Sequence, residues 1–145
     1  MRTPRVEENL PELVEKLNFA EKVERSLSLL EEAGAEFGDA LVVANSLGKD
    51  SSVVWHLARR VNPRIRGFIV TTRFKPVETQ QFMAQETARH PGLQVFRNEQ
   101  EIPERLYETD PDRCCDILKV QPTRRAIEEM NVRCWVTGLR CTEGR

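Results

Sequence analysis

No apolar run in this chain approaches the roughly twenty residues that a membrane-spanning helix needs. The N-terminus is charged and lacks an apolar signal core, which implies a cytoplasmic protein. Neither sign of charge dominates: the formal net charge is −1, so there is no global case for binding nucleic acid or an anionic membrane. No internal repeat and no low-complexity stretch interrupts the chain. Cysteine is missing until Cys114, and all four (Cys114, Cys115, Cys134, Cys141) fall in the last third. In a reducing compartment such clustering points to metal or redox chemistry before structural disulfides. What remains, 145 residues with 39% apolar and 31% charged, suits one soluble globular domain with a sizeable core.

The apolar pattern alternates between short strand-like runs and amphipathic helical stretches. Leu10, Leu13, Val14 and Leu17 share a helical face that Asn18 could end, and a second helix reads from about Ala20 through Val23, Leu27 and Leu30. Residues 1–38 thus form an acid-rich helical segment, read as a solvated face over a lid. From 39 to 145 strands are expected at 41–44, 65–72, 93–96 and 134–139, with helices after the first two and over 112–130. Asn62-Pro63 and Pro91-Gly92 act as breaks, and Pro122 is expected to open the second half of the last helix. Strands alternating with helices predict an α/β fold, a doubly wound and mainly parallel sheet. Such sheets bind ligands beyond the carboxyl ends of their strands.

The first strand runs into Asn45-Ser46-Leu47-Gly48-Lys49-Asp50-Ser51-Ser52. Asp50, Ser51 and Ser52 are N-cap candidates, and Val53, Val54, Leu57 and Ala58 would form the apolar face of the helix that follows. Loop N–H groups and the positive helix end attract an anion. Gly48 allows close backbone approach, and Lys49 adds a point charge. Residue types alone leave a strand–helix connection that binds nothing equally open. Trp55 and Trp135 are expected in the core. His56 reads as a surface or core residue, His90 as a helix-end residue, and Asp50 and Glu78 as capping or ligand-contacting carboxylates.

Ser46-Leu47-Gly48-Lys49-Asp50-Ser51 resembles the Ser-Gly-Gly-Lys-Asp-Ser loop of PP-loop nucleotide-binding proteins, with Leu47 at the usual first glycine. Thr71 to Thr79 is similar to the segment Asp-Thr-Gly-x-x-Phe-Pro-Glu-Thr, matching at Thr72, Glu78 and Thr79. Cys114-Cys115, Lys119-Val120, Pro122, Arg125-Ala126 and Trp135-x-Thr137-Gly138-Leu139-Arg140 resemble a block of adenylylsulfate reductases. The chain is therefore identified with the PAPS reductase-like group, whose fold is of the adenine nucleotide α-hydrolase type. The resemblance implies an anion site at Ser46, Gly48, Lys49, Asp50, Ser51 and Ser52. It implies adenosine contacts near Thr72, and Lys119, Arg125 and Arg140 facing phosphate or sulfate.

The resemblance further implies thioredoxin-dependent reduction of adenylylsulfate or PAPS to sulfite in sulfate assimilation. In its cluster-bearing members an iron–sulfur cluster is held by a Cys-Cys pair, here Cys114 and Cys115, and a later Cys-x-x-Cys that this chain does not carry. The family's reductive cysteine, in a C-terminal tail, is also not found, so the chain is expected to bind nucleotide without completing the reaction, and to continue in nature past Arg145. Two rivals stay open. One is an ATP-using adenylating enzyme or ATP pyrophosphatase with magnesium, favoured by the intact Gly48-Lys49-Asp50-Ser51. The other is a non-catalytic nucleotide- or cluster-binding module.

Overall fold

The computed structural model describes Glu12 and residues 15–140. Of the helix expected from Leu10 to Leu17, Glu12, Glu15 and Lys16 are described and helical, while Leu10, Leu13 and Val14, like Cys141 and Glu143, lie outside the described residues. The first continuous element, α1 (Phe19–Phe37), has Asn18 as its N-cap, two residues after the helical Glu15 and Lys16. Asn18 Oδ1 accepts the Glu21 N–H at 2.9 Å, and Glu21 Oε2 accepts the Asn18 N–H at 2.8 Å. Each half of this capping box satisfies one backbone donor that the helix itself cannot. The helix passes through Gly34 and stops at Gly38, whose φ of 53° lies in the left-handed region that glycine enters without strain.

Strands β1 (Leu41–Ala44), β2 (Arg66–Thr71), β3 (Leu93–Arg97) and β4 (Cys134–Val136) form one parallel sheet in the order β3-β2-β1-β4. Helix α2 (Lys49–Val61) connects β1 to β2 and α3 (Val77–Arg89) connects β2 to β3. The alternation of side chains along β1 divides the core. Leu41 and Val43 join Leu30, Trp55, Ala58, Ile65, Ile69 and Leu93 on the face covered by α1 and α2. Val42 joins Phe68, Phe96, Ala126 and Met130 on the opposite face. Leu30 packs with β1 and α2 in one cluster, so α1 is a layer of the core that also holds the sheet.

The buried stripe of α2 is Ser51, Trp55 and Ala58, spaced four and three residues apart, with Val54 and Leu57 at its margins. Val53, expected on that face, lies a half-turn away and is 57% exposed. The Trp55 ring requires glycine at position 67: a Cβ there would stand 2.8 Å from Trp55 Cζ3 and 2.9 Å from Leu93 Cδ1. At the other end of β2's surroundings, the Arg66 guanidinium donates to the carbonyls of Met130 and Asp39, tying the sheet to both flanking layers.

Between β3 and β4 the chain forms α4 (Leu106–Thr109), α5 (Pro111–Cys115), a single π-helical turn (Asp116–Val120) and α6 (Gln121–Glu129). The last three run on without a break. Pro122 has no N–H for the Leu118 carbonyl, and its ring crowds that carbonyl. The wider turn just before Pro122 accommodates both, and Pro122 itself is almost completely buried. No described helix is long and apolar enough to cross a membrane.

Candidate functional site

Strand order reverses at β1: the chain builds β2 and β3 on one side of it, then returns to place β4 on the other. Connections leaving β1 and β4 therefore diverge and leave a crevice at their carboxyl ends. A cleft of about 600 Å³ occupies that position. One end is formed by Asn45, Ser46, Gly48 and the first turn of α2, the other by Ala44, Phe68, Val70 and Trp135.

The polar end is held in shape by short, mostly internal hydrogen bonds. Asn45 is buried; its N–H donates to the Phe68 carbonyl at 2.9 Å and its Oδ1 accepts the Leu47 N–H at 2.8 Å. Leu47 takes φ 65°, a left-handed conformation that costs a non-glycine residue on the order of 1–2 kcal/mol. It also packs its side chain against the core cluster around Trp55, which offsets that cost. The Ser51 hydroxyl is buried under the loop. It accepts the Ser46 N–H at 3.2 Å, lies 2.9 Å from Ser46 Oγ, and is 3.2 Å from both Asn45 Oδ1 and the Gly48 carbonyl.

The N-cap of α2 is Gly48, not Asp50, Ser51 or Ser52 as the sequence pattern suggested. The helix begins two or more residues earlier than those caps require, and the Ser52 N–H is already bonded to the Gly48 carbonyl at 3.0 Å. Ser51 turns inward as the post that supports the loop. No side chain caps the helix, so its first-turn N–H groups face the cleft with the positive end of the helix dipole. Gly138, after β4, closes this end: a Cβ on it would sit 2.8 Å from Ser51 N and 3.0 Å from Asp50 C. Arg140 Nε lies 3.5 Å from Asp50 Oδ2, with both side chains well exposed, a pairing of little strength.

The cleft thus gathers Ser46, Gly48, Lys49, Asp50, Ser51 and Arg140 from the expected anion site. Ser52 is half-buried in α2 behind them. Arg125 stands apart: its Nη2 donates to the Arg97 carbonyl at 2.7 Å, and its guanidinium lies 5.9 Å from the Phe96 ring centre. Thr72 and Lys119 line a second cleft of about 500 Å³, with Phe74, Tyr107, Cys114 and Cys115. There the Thr72 hydroxyl accepts the Phe74 N–H at 3.2 Å. Trp135, expected in the core, is 45% exposed and lines the first cleft, because β4 is a sheet edge with no further strand beside it among the described residues. Asn45, Thr123, Thr137 and Gly138 also line it without having been assigned a role. Their common signal is position, since three of them directly follow the carboxyl end of β1 or β4.

Cys114 is half-buried and Cys115 exposed, and both reach the second cleft. Among the described residues no group of three or more His, Cys, Asp or Glu side chains could hold a metal ion. Two neighbouring thiols are half of the usual four-thiolate set of an iron–sulfur cluster, so the described residues alone do not build one. Burial and the Glu36 carboxylate push the Cys134 thiol pKa up, disfavouring its thiolate.

Fold and site together define a parallel α/β domain with a polar cleft, fronted by a helix N-terminus, at the switch point of its sheet. The chain belongs to the phosphoadenosine phosphosulfate reductase domain family, whose match spans residues 40–145. It is 32% identical to a phosphoadenosine 5′-phosphosulfate reductase of Synechococcus sp., over 90% of this chain and 61% of that protein. An adenosine 5′-phosphosulfate reductase of Bacillus mycoides is 29% identical, over 86% of this chain and 57% of its own length. The chain thus spans little more than half the length of these relatives. A crystal structure of phosphoadenylyl-sulfate reductase from Candida auris, a phosphate complex, shares the fold. Its TM-score is 0.71 at 18% identity, over 97% of this chain and 70% of that one.

Proposed function

We propose that this domain holds an adenine sulfonucleotide, adenylylsulfate or PAPS, for thioredoxin-dependent reduction of its sulfate to sulfite. The observation that carries the reading is the two-ended first cleft: a cradle of backbone N–H groups, Lys49 and Arg140 at one end, apolar and aromatic side chains at the other. A phosphosulfate needs the first environment and a nucleoside the second. Family membership and relatives named for these substrates support the same assignment.

In the reaction the family implies, a thiolate bonds to the sulfate sulfur while the S–O bond to the nucleotide phosphate breaks. A second thiol then attacks the sulfur of that first thiol, releases sulfite and leaves a disulfide, so the dithiol is oxidised by two electrons. None of the described cysteines lines the first cleft. The described part of the chain is accordingly read as the part that binds and orients the nucleotide. Cys114 and Cys115 are read as cluster ligands that need further thiolates.

Calorimetry with adenylylsulfate, PAPS and ATP, the last with and without magnesium, tests the substrate. Sulfonucleotide binding in the micromolar range without metal is expected. Binding only of ATP with magnesium would transfer the domain to the adenylating enzymes, and binding of none would remove every nucleotide reading. Absorption in the visible after anaerobic purification tests the cluster.

A further inference from the structure

The far end of the sheet carries a hollow that the nucleotide reading leaves unused. It lies where β2 and β3 begin, across the domain from the first cleft, and has a volume of about 80 Å³. One water needs about 10–15 Å³ of such space, so the hollow takes several waters or one small inorganic ion, and no nucleoside. Three arginines from three elements line it: Arg59 in the last turn of α2, Arg64 in the turn before β2, and Arg89 in the last turn of α3. Both connecting turns are tight. Asn62 Oδ1 accepts the Arg64 N–H at 3.0 Å, and the His90 carbonyl accepts the Leu93 N–H at 2.9 Å. Arg89 pairs with Glu86 at 3.4 Å, whereas the Arg59 and Arg64 side chains have no hydrogen bond or ion pair to a described residue. Cations favour the carboxyl end of a helix, which accounts for Arg59 and Arg89 but not for Arg64.

Nor does it account for what lies deeper. Trp55 is 4% exposed, and its indole N–H is buried with no partner among the described residues. Its Cζ3 edge is against Gly67, so the opposite, N–H edge is turned away from the strand. His90 packs edge-on to it, ring centres 5.7 Å apart, and His90 Nδ1 is likewise buried and unpartnered among the described residues. The other ring nitrogen, Nε2, faces Glu86 Oε2 at 3.7 Å. Buried polar atoms normally have partners, and two without them in one hollow mark a place for water or an ion. Charge selects between these. Three guanidiniums stand against the Glu86 carboxylate and two helix carboxyl ends, each worth about half a negative charge, which leaves the hollow positive.

We infer that the hollow is a second anion site, taking a small tetrahedral oxyanion such as inorganic sulfate: the Trp55 indole N–H and the Nδ1–H of a charged His90 donate to it from within, and Arg59 and Arg64 close over it from the rim. The site does not depend on what the first cleft holds. His90 donates through Nδ1 only when its ring is charged, so binding tightens as pH falls. Burial, with Arg59 and Arg89, disfavours that charge and Glu86 favours it; a bound anion adds to the effect of Glu86.

The test follows the Trp55 indole N–H by NMR in the isotope-labelled chain while sulfate replaces chloride at constant ionic strength. The chain has two tryptophans, so Trp135→Phe assigns the signal. The signal should move with roughly millimolar affinity, several-fold tighter at about pH 6 than at about pH 7.5, and His90→Gln should remove that pH dependence. Arg59→Gln with Arg64→Gln should weaken binding about tenfold or more. Arg60→Gln, at an exposed arginine of the same helix outside the hollow, should leave it within about twofold. A Trp55 signal that stays still at tens of millimolar sulfate overturns the site. So does equal affinity in wild type and the double-arginine variant, or an equal loss in Arg60→Gln, either of which would mark general charge screening. Affinity independent of pH overturns the donor role of His90.

Discussion

The two clefts of this domain are built in opposite ways. The first is made where parallel strands end, and its polar residues are mostly committed to one another: Asn45, Ser46, Gly48 and Ser51 exchange hydrogen bonds within a few residues of chain. The second is made from a turn, short helices and a π-helical turn, and its lining includes exposed Phe74 and Tyr107 beside two adjacent thiols. A site of the first kind holds a shape before any ligand arrives, so binding does not have to order it. A site of the second kind exposes reactive and apolar groups together and depends more on what else comes to it. On the proposed function, recognition falls to the first region and thiol chemistry to the second.

The comparison breaks most readily at Gly138. Gly138→Val would push against backbone atoms of Ser51 and Asp50, which cannot swing aside as a side chain would. It should destabilise the fold by about 1–3 kcal/mol, read from denaturant midpoints, and weaken nucleotide binding more than tenfold by calorimetry. Next comes Ser51→Ala. It leaves the Ser46 N–H without its acceptor under the loop, at a cost of about 1–3 kcal/mol, and should lower phosphate affinity by loosening the cradle. Changes in the second cleft should leave the first alone: Cys114→Ser with Cys115→Ser should keep nucleotide affinity within about twofold, which calorimetry reads. A larger loss would mean that the clefts are coupled.

Thiol reactivity sharpens the contrast. With alkylating reagent near neutral pH, exposed Cys115 should be modified well before Cys134, whose thiolate is disfavoured by burial and Glu36. Peptide mapping by mass spectrometry gives the order. The smallest effect concerns pH. His90 is packed against Trp55, and burial, with Arg59 and Arg89 nearby, lowers its pKa despite Glu86. The unfolded chain then binds a proton more readily than the folded one. Stability from this source is fully present above the ordinary histidine value of 6.5 and is lost as pH falls from there toward the lowered folded value. His90→Gln should flatten that slope in unfolding measured between pH 7.5 and 5.5.

Much of the frame was legible from residue order. The strands expected at 41–44, 65–72 and 93–96 fall on β1, β2 and β3 because buried parallel strands are short apolar runs bounded by breaks. The loop after β1 was legible as a strand–helix junction from its residue types, while its reading as an anion site came from the resemblance. The register of α2 was not: three adjacent residues could each cap a helix, and only the Gly48–Ser52 hydrogen bond decides among them. Trp135 was misplaced because its composition says core while its strand's place in the sheet says edge. That place depends on pairings over ninety residues apart, such as Val42 with Trp135, which no local pattern reports. Arg125 and Lys119 were grouped with the cradle by resemblance, yet they occupy different sides of the helical rod that carries them.

That rod, residues 111–129, contains one residue more than a plain α-helix of the same reach, taken up in the π turn ahead of Pro122. A surplus residue acts as a phase shift, rotating everything upstream by about 100° around the axis relative to everything downstream. The same rod carries its cysteines to one cleft and Thr123 to the other. Deleting one residue from 116–120 would re-index the rod, carrying the cysteine pair about a quarter-turn out of its groove with no change in either residue.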